Sequence, residues 1–164
     1  MTDLLKIRNA SVNDLQELMV IENLCFPKEE AASKEALEER VRLLPDSFLV
    51  AEEFGVLTGL INGPVIQTPF ITDDLFTKIK PNLELGGHQS VLSLAVSPAS
   101  QKRGVATALL SYLEGEAIKK KRLSMTLTCK ESLIVFYEKQ GYQNMGVSNS
   151  EHGGVTWYNM VKEL

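Results

Sequence analysis

The sequence contains few cysteines and no long apolar run, and each shortage excludes a class of protein. Only Cys25 and Cys129 occur among 164 residues, with neither a CxxC pair nor a His/Cys cluster at metal-ligand spacing. This argues against a disulfide scaffold and a zinc site, and it fits a reducing compartment. No stretch approaches the ~20 apolar residues of a membrane-spanning helix, and the opening MTDLLKIRNA, which carries Asp3, Lys6 and Arg8, lacks the apolar core of a signal peptide. We therefore expect a cytoplasmic protein that binds no metal and no membrane.

Positive charge is also in short supply. The chain has 17 Lys and Arg against 21 Asp and Glu, a formal net charge of -4. An acidic chain lacks the basic surface that nucleic acid or an anionic membrane attracts, so we expect neither as a partner. The one basic run, residues 119–122, is interpreted as the solvated end of a helix, where cations face the negative pole of the helix dipole.

What the sequence does contain is a regular succession of helix and strand patterns, without repeats or a linker, which predicts a single domain over residues 1–164. Apolar spacing predicts four helices, beginning at Ser11, near Ser33, at Gly104 and at Glu131. Strand patterns occupy residues 4–8, 47–53, 56–62, 89–96, 123–129, 142–147 and 155–161. The order β-α-α-β-β-β-α-β-α-β-β predicts an α/β (α+β) fold, in which a mixed central sheet of about seven strands has helices on both faces.

One connection, residues 64–87, is unusually long. It holds three prolines, ends in Gly86-Gly87 and has only a short helical pattern over residues 73–79. Connections of this length inside a compact domain are usually functional or mobile. A surface excursion without a role remains the alternative.

The most informative stretch is SLAVSPASQKRGVATALL, residues 93–110, in which a strand pattern leads through a cationic loop into a helix. The first N–H groups of a helix have no partners within it, and they carry partial positive charge. Gly104 lets an anion approach that backbone, and Lys102 and Arg103 add charge beside it, so the loop is typical of a phosphate cradle. It matches neither the P-loop nor the three-glycine dinucleotide pattern. An ordinary strand-to-helix connection with surface cations remains the alternative.

The run LAVSPASQKRGVATALL resembles the acetyl-CoA-binding motif of the GNAT superfamily of N-acetyltransferases. CKESLIVFYEKQGY, residues 129–142, resembles the second signature of that family. LCFPKEEAAS, residues 24–33, and the Gly86-Gly87-His88 triplet are similar to the arylalkylamine N-acetyltransferase branch. The resemblance implies transfer of an acetyl group from acetyl-CoA to a small primary amine. It further implies a monomer or homodimer whose partners are coenzyme A and that amine.

The resemblance also implies which residues bind the cofactor. The strand residues would present backbone groups to the pantetheine arm, and the amide of Leu94 would polarise the thioester carbonyl. The loop and the start of the helix would hold the diphosphate without a metal. The implied cofactor-binding residues are Leu94, Ala95, Val96, Gln101, Lys102, Arg103, Gly104, Val105, Ala106, Thr107, Ser132 and Phe136.

For the chemistry, the resemblance makes Tyr137 the acid that protonates the departing thiolate, although Tyr137 could instead only pack on the inward side of its helix. An alkylammonium must lose a proton before it can attack. Where the vertebrate enzymes of the branch carry two histidines, this chain has Ser90 and Leu92. His88, one residue pair further out on the same predicted strand face, is our candidate base.

Other choices stay open at this point. Glu29 and Glu30 compete with His88 for the role of base, while Phe26 and Pro27, together with Leu92, are expected to border the substrate. Trp157 is expected in the core or on the sheet surface, and His152 is assigned no role. The acceptor could instead be a polyamine, an aminoglycoside or a protein N-terminus. A non-catalytic acyl-CoA-binding sensor is the remaining alternative.

Overall fold

The structure is a computed structural model that describes residues 4–164, so Asp3, one of the charges that argue against a signal peptide, lies outside the described residues. Across this range the strands are β1 (Lys6–Asn9), β2 (Phe48–Glu53), β3 (Val56–Asn62), β4 (Val65–Ile66), β5 (His88–Val91), β6 (Ser93–Val96), β7 (Ser124–Cys129), β8 (Gln143–Val147) and β9 (Tyr158–Glu163). The α-helices are α1 (Leu15–Cys25), α2 (Lys34–Leu43), α3 (Val105–Lys119) and α4 (Ile134–Lys139). Within these same residues, no helix is long and apolar enough to cross a membrane.

The strands form two sheets, and the chain passes from one sheet to the other between the consecutive strands β5 and β6. One sheet has the order β1-β2-β3-β6 and is antiparallel throughout, while the other has the order β4-β5-β7-β9-β8, with β5 and β7 parallel. The predicted mixed sheet with helices is therefore confirmed. The described residues contain nine strands rather than seven, because the predicted strand over residues 89–96 breaks at Leu92 and because Val65–Ile66 adds a short strand.

Side-chain alternation in β2 explains why helices cover both faces. Phe48 and Val50 are buried in the core formed with α1 and α2. Leu49 and Ala51, which point the other way, are buried in the core formed with α3 and α4. Successive residues of a strand face opposite sides, so one strand with apolar residues on both sides needs a helical layer on each.

Side chains at or next to the predicted helix starts cap the first turns. The Ser33 hydroxyl accepts a hydrogen bond from the Ala36 N–H at 3.1 Å and caps α2. The Asp14 carboxylate accepts from the Ser11 N–H at 2.8 Å, and a 3₁₀ turn over Val12–Asp14 leads into α1. The helix predicted from Glu131 likewise begins with a 3₁₀ turn before α4.

Helix α3 lies close to the sheet because β3 has a glycine beneath it. A Cβ built on Gly59 would lie 3.1 Å from Leu109 Cδ1 and 3.2 Å from Val105 Cγ1. Both distances are shorter than ordinary van der Waals contact. The missing side chain therefore lets the first turn of α3 pack directly against β3 and β6.

The long connection over residues 64–87 is fixed to the body of the protein. The hydroxyl of Thr126 donates to the Pro69 carbonyl at 2.6 Å, and the Asn82 amide donates to Asp46 at 2.7 Å. The predicted helical pattern over residues 73–79 reduces to one 3₁₀ turn at Asp73–Phe76. The segment is thus a surface covering with specific anchors.

Arg122 corrects our interpretation of the basic run. Its side chain is buried, donates to the Gly86 carbonyl at 2.9 Å and lies 3.7 Å from the Asp46 carboxylate. The Arg122 guanidinium therefore binds the end of the long connection and does not lie in solvent. Lys119 and Lys121 are exposed, as predicted for a solvated helix end.

Candidate active site

A cleft opens where the two sheets separate. The parallel ladder between β5 and β7 has its last register pair at Val91 and Leu127. After the break at Leu92, β6 pairs with β3, and no other described strand pairs with it. The far edge of β6 and the end of β7 therefore face each other across a gap without joining hydrogen bonds, and we call this gap the cleft.

Strand alternation decides which backbone groups of β6 face the cleft. The Ser97 N–H donates to the Thr58 carbonyl at 2.8 Å. In an antiparallel ladder every second residue of a strand bonds to the neighbouring strand, so Ala95, two residues before Ser97, also bonds to β3. Leu94 and Val96 then direct their N–H and C=O groups toward the cleft. Ala95, expected to contact the cofactor, instead has its backbone in the ladder and its side chain in the core.

The carbonyl of Val96 already has partners, whereas the amide of Leu94 has none among the residues that the structure describes. Gln101 Nε2 donates to this carbonyl at 3.0 Å, and the Cys25 thiol donates to it at 3.2 Å. Gln101 thus fixes the loop that follows β6. The Leu94 N–H, by strand alternation, is a donor aimed into the cleft.

The N-terminus of α3 points its own N–H groups at the same opening. Gly104 adopts a left-handed conformation, with φ at 83°, and the first helical bond joins the Ala108 N–H to the Gly104 carbonyl. The N–H groups of residues 104–107 consequently have no partner within the helix. A cavity of 480 Å³, here the α3 cavity, is lined by Leu94, Val96, Gln101, Lys102, Gly104, Val105, Ala106, Thr107, Leu133, Phe136 and Tyr137.

Besides Ala95, two of the predicted cofactor residues, Arg103 and Ser132, do not line the α3 cavity. The Arg103 guanidinium donates to both oxygens of the Glu53 carboxylate, at 3.0 and 2.8 Å, so its charge is already balanced. Ser132 is exposed in the 3₁₀ turn before α4. Lys102 is the cation that the loop brings to the cavity.

A second, smaller cavity of 90 Å³ borders the α3 cavity. It shares Leu94, Leu133 and Tyr137 with the α3 cavity. Its remaining lining residues are Glu22, Phe26, Glu30, Phe76, Val91, Leu92, Ser93, Leu127, Thr128, Cys129, His152 and Trp157. We call it the aromatic cavity. An outer cavity of 290 Å³ shares Glu30, Phe76, Leu92, Ser93 and His152 with it and gives it further room.

The aromatic walls come from distant parts of the chain. Phe76, from the long connection, stacks on His152 with ring centroids 4.2 Å apart. The Trp157 indole donates to the His152 carbonyl at 2.6 Å, which fixes the loop before β9. Phe26 lines the same space from the end of α1, whereas Pro27 is exposed and does not line it.

Tyr137 stands between the two cavities. Its ring makes edge contacts with Phe136 and Tyr142, at centroid distances of 5.0 and 5.7 Å. Burial, and secondarily Cys129, raises the pKa of Tyr137 well above the ordinary value. The hydroxyl makes no hydrogen bond to residues 4–164, and the side chain lines both cavities. It is therefore a protonated donor available to a ligand.

The structure does not bring His88 or Ser90 to the cleft. His88 begins β5, six residues before Leu94 and so roughly 20 Å away along an extended strand. Its Nδ1 lies 2.7 Å from the Ser124 hydroxyl, and burial lowers the pKa of His88. Ser90 is fully buried and donates to the Pro64 carbonyl. The break at Leu92 interrupts the alternation on which the prediction relied, and Leu92 itself lines the aromatic cavity.

Of the competing carboxylates, Glu29 is exposed, and Glu30 lines the aromatic cavity with Lys130 Nζ 2.9 Å from it. Glu22, which our sequence reasoning missed, is 1 % exposed and lines that cavity. The missed signal was a charged residue at the core-facing spacing of Leu15 and Leu18. His152 and Trp157 gave no such signal, because they lie in and beside a loop.

No group of three or more His, Cys, Asp or Glu side chains could hold a metal ion within the part of the chain that the structure describes.

No curated protein sequence matches this chain. Among solved structures, it is similar to a PaiA N-acetyltransferase from Thermoplasma acidophilum in complex with coenzyme A (20% identity, 98% and 99% of the two chains covered, TM-score 0.71).

Two further solved structures are similar to this chain over nearly its whole length. Naa50 from Arabidopsis thaliana, in complex with the bisubstrate analogue CoA-Ac-MVNAL, is 13% identical over 98% of this chain and 99% of its own, with a TM-score of 0.74. The GphF GNAT-like decarboxylase, in complex with isobutyryl-CoA, is 17% identical over 96% and 98%, with a TM-score of 0.81. Such diverse relatives do not support placement in the arylalkylamine branch. The acetyltransferase (GNAT) domain family matches residues 16–164, and the chain therefore belongs to the GNAT family of acetyltransferases.

Proposed function

We propose that this acetyltransferase moves the acetyl group of acetyl-CoA to the primary amine of a small arylalkylamine. The observation that carries the proposal is the aromatic cavity, which meets the α3 cavity at Leu94 and Tyr137. An amine held in the aromatic cavity and a thioester entering from the α3 cavity would meet beside the Leu94 N–H and the Tyr137 hydroxyl. That is the geometry that acyl transfer needs.

The α3 cavity suits the coenzyme. Open N–H groups at residues 104–107 and the nearby Lys102 would hold the diphosphate, as helix N-termini commonly hold anions. On the cleft edge of β6, the N–H and C=O of Leu94 and the N–H of Val96 would bind the pantetheine arm by backbone hydrogen bonds, as they would an additional strand. The thioester carbonyl would then accept from the Leu94 N–H, which would stabilise the oxyanion as the amine attacks.

Tyr137 would complete the transfer. The neutral amine attacks the acetyl carbon, and the carbon–sulfur bond of the resulting adduct breaks. The Tyr137 hydroxyl donates its proton to the departing thiolate, and the acidic nitrogen of the adduct returns a proton to the phenolate. The products are the amide and coenzyme A with a thiol, and the tyrosine is restored.

The cavity walls favour an aromatic acceptor over the alternatives. Phe26, Phe76 and Trp157 present ring surfaces to the space, and aromatic pairs prefer stacked or edge contacts. A polyamine or an aminoglycoside carries several ammonium groups, whereas the cavity holds two carboxylates, of which Glu30 is already paired with Lys130. A protein N-terminus would bring further peptide residues against the stacked Phe76 and His152, which line both the aromatic cavity and the outer cavity.

The test is to incubate the protein with acetyl-CoA and four acceptors, namely 2-phenylethylamine, spermidine, an aminoglycoside and a pentapeptide with a free N-terminus, and to follow thiol release. We expect the highest kcat/KM with 2-phenylethylamine. A higher value with another acceptor would reassign the substrate class. Tight coenzyme binding without thiol release on any amine would instead indicate a non-catalytic acyl-CoA sensor.

A further inference from the structure

We propose that Glu22 binds the ammonium group of the acceptor through its Oε2 atom and removes the proton that blocks attack. This inference rests on the function proposed above, since it names the group that prepares the amine. The reaction then does not require a histidine on the strand that precedes the cationic loop over residues 97–104.

The first support is the position and incomplete bonding of the carboxylate. Glu22 lines the aromatic cavity while it is 1 % exposed. Its Oε1 atom accepts from the Ala32 N–H at 2.9 Å and from the Ser93 hydroxyl at 3.4 Å. Its Oε2 atom is buried without any partner among the described residues. A buried carboxylate oxygen left without a donor is costly, and a cationic donor entering the cavity would relieve that cost.

The second support is the charge around this carboxylate. Arg40, on α2, is buried and reaches the network through its Nη1, which donates to Asn62 Oδ1 at 3.2 Å and to Ser93 Oγ at 3.4 Å. The Ser93 hydroxyl thus connects the guanidinium to Glu22 without a direct bond between the two ions. Arg40 favours the ionised carboxylate, yet it leaves Oε2 available.

The other titratable groups around the site do not occupy Oε2 either. The Cys25 thiol donates to the Val96 carbonyl, and His152 Nε2 lies 3.1 Å from the Glu30 carbonyl oxygen. Glu30, Tyr137 and Cys129 line the same cavity, and Glu30 is paired with Lys130. Burial, the dominant effect, raises the pKa of Glu22 and brings it closer to the neutral range in which a general base works best.

The proton balance is simple. The ammonium donates one proton to Oε2, which gives a neutral amine and a neutral carboxylic acid. The amine attacks the thioester, the transfer proceeds as described for Tyr137, and Glu22 later releases its proton to water. A neutral alcohol would find no such charge complementarity, so the site selects amines.

The test compares the wild type with Glu22→Gln, which keeps the shape of the side chain and an oxygen for Ala32 and Ser93. By titration calorimetry with the coenzyme-loaded protein, we expect Glu22→Gln to bind 2-phenylethylamine at least tenfold more weakly at pH 7 while coenzyme A binds both proteins equally. We expect kcat/KM to fall by about 10²–10³-fold, with loss of the acidic limb of its pH profile. Glu38→Gln, at an exposed carboxylate of α2 without a hydrogen-bond partner among the described residues, is the matched control.

Ser93→Ala tests the same idea if Glu22→Gln does not fold. Loss of the hydroxyl that donates to Oε1 destabilises the ionised carboxylate, so the acidic limb should move to higher pH. Equal amine binding by the wild type and Glu22→Gln, or an unmoved acidic limb in Ser93→Ala, overturns the role of Glu22. Absence of thiol release by the wild type on every amine instead overturns the proposed function, and the binding comparison still decides whether Glu22 holds the ammonium.

Discussion

His152 stacks on Phe76 with ring centroids 4.2 Å apart and planes within 8° of parallel, although 76 positions separate them in the chain. The contact joins the long connection over residues 64–87 to the loop before β9. A second link between the same segments is the hydrogen bond from the Ser150 hydroxyl to Asp73. Phe76 and His152 both line the aromatic cavity, so the long connection contributes one of its walls.

Phe76→Ala should therefore weaken acceptor use without affecting the coenzyme. The change removes one aromatic wall and the stack on His152, and we expect kcat/KM for 2-phenylethylamine to fall by about 5- to 30-fold, with KM rising. Thiol-release kinetics measure this, and the affinity for coenzyme A serves as the internal comparison. Phe54→Ala, at an exposed ring in the turn between β2 and β3, should leave both unchanged. A similar loss in both variants would argue against an acceptor site at Phe76.

Tyr137→Phe should separate chemistry from binding. The phenylalanine ring preserves the contacts with Phe136 and Tyr142 but cannot give a proton to the thiolate. We expect kcat to fall by about 10²–10⁴-fold while the Kd for acetyl-CoA changes less than twofold. Tyr112→Phe, at a half-exposed ring on α3, is the control. Full kcat in Tyr137→Phe would remove this tyrosine from the mechanism.

The cationic loop over residues 97–104 and most of the fold could be predicted from local sequence. Gly104 after two cations marks a helix N-terminus that can hold an anion, and the strand and helix periods set the order of elements. Those features depend on neighbours within a few residues. The structure accordingly shows α3 beginning at Val105, after the left-handed Gly104.

The break at Leu92 could not be predicted, because HQSVLSLAV contains neither glycine nor proline. It arises from the neighbouring strand: the Leu92 N–H donates to the Asn62 carbonyl at 2.8 Å, and a Cβ on Gly63 would lie 2.1 Å from the Ser90 carbonyl oxygen. Close approach of the two backbones fixes the break, and the break then separates His88 from the cleft. The aromatic cavity likewise depends on residues far apart in the chain.

The pair between Arg8 and Asp14 predicts a pH dependence of stability. Two bonds of 2.9 Å join the guanidinium to the carboxylate, and Arg8 lowers the pKa of Asp14 below its ordinary value of 3.8. The folded state then binds fewer protons than the unfolded chain near that value. The stabilisation is complete above pH 3.8 and is lost as the pH falls through the lower, folded-state pKa.

Asp14→Asn should accordingly reduce the free energy of unfolding at pH 7 by roughly 0.5–2 kcal/mol, a range that allows for the partial exposure of Arg8. Urea unfolding at pH 7 and at pH 2 measures the difference from the wild type, which should shrink at the lower pH. Glu38→Gln provides the comparison for the loss of a carboxylate that makes no hydrogen bond within residues 4–164. A difference that is the same at both pH values would show that the ion pair is not its source.

Lys102 and Arg103 are adjacent cations that the structure treats differently, and this predicts unequal effects on the coenzyme. Lys102 lines the α3 cavity, whereas Arg103 is held by Glu53 through two short bonds. We expect Lys102→Ala to raise the Kd for coenzyme A by about 5- to 10-fold at low salt, with a smaller effect at 1 M salt because exposed charges are screened. Arg103→Ala should change the Kd less than threefold.

A thioester without the diphosphate identifies the group that Lys102 contacts. With acetyl-pantetheine as the acetyl donor, Lys102→Ala should have the KM of the wild type, because the anion that the lysine would hold is missing. An equal loss with acetyl-pantetheine and acetyl-CoA would mean that the lysine acts on the pantetheine arm or on the fold of the loop. A larger effect from Arg103→Ala than from Lys102→Ala would require the pair with Glu53 to open when the coenzyme binds, contrary to a cradle built from Lys102 and the first N–H groups of α3.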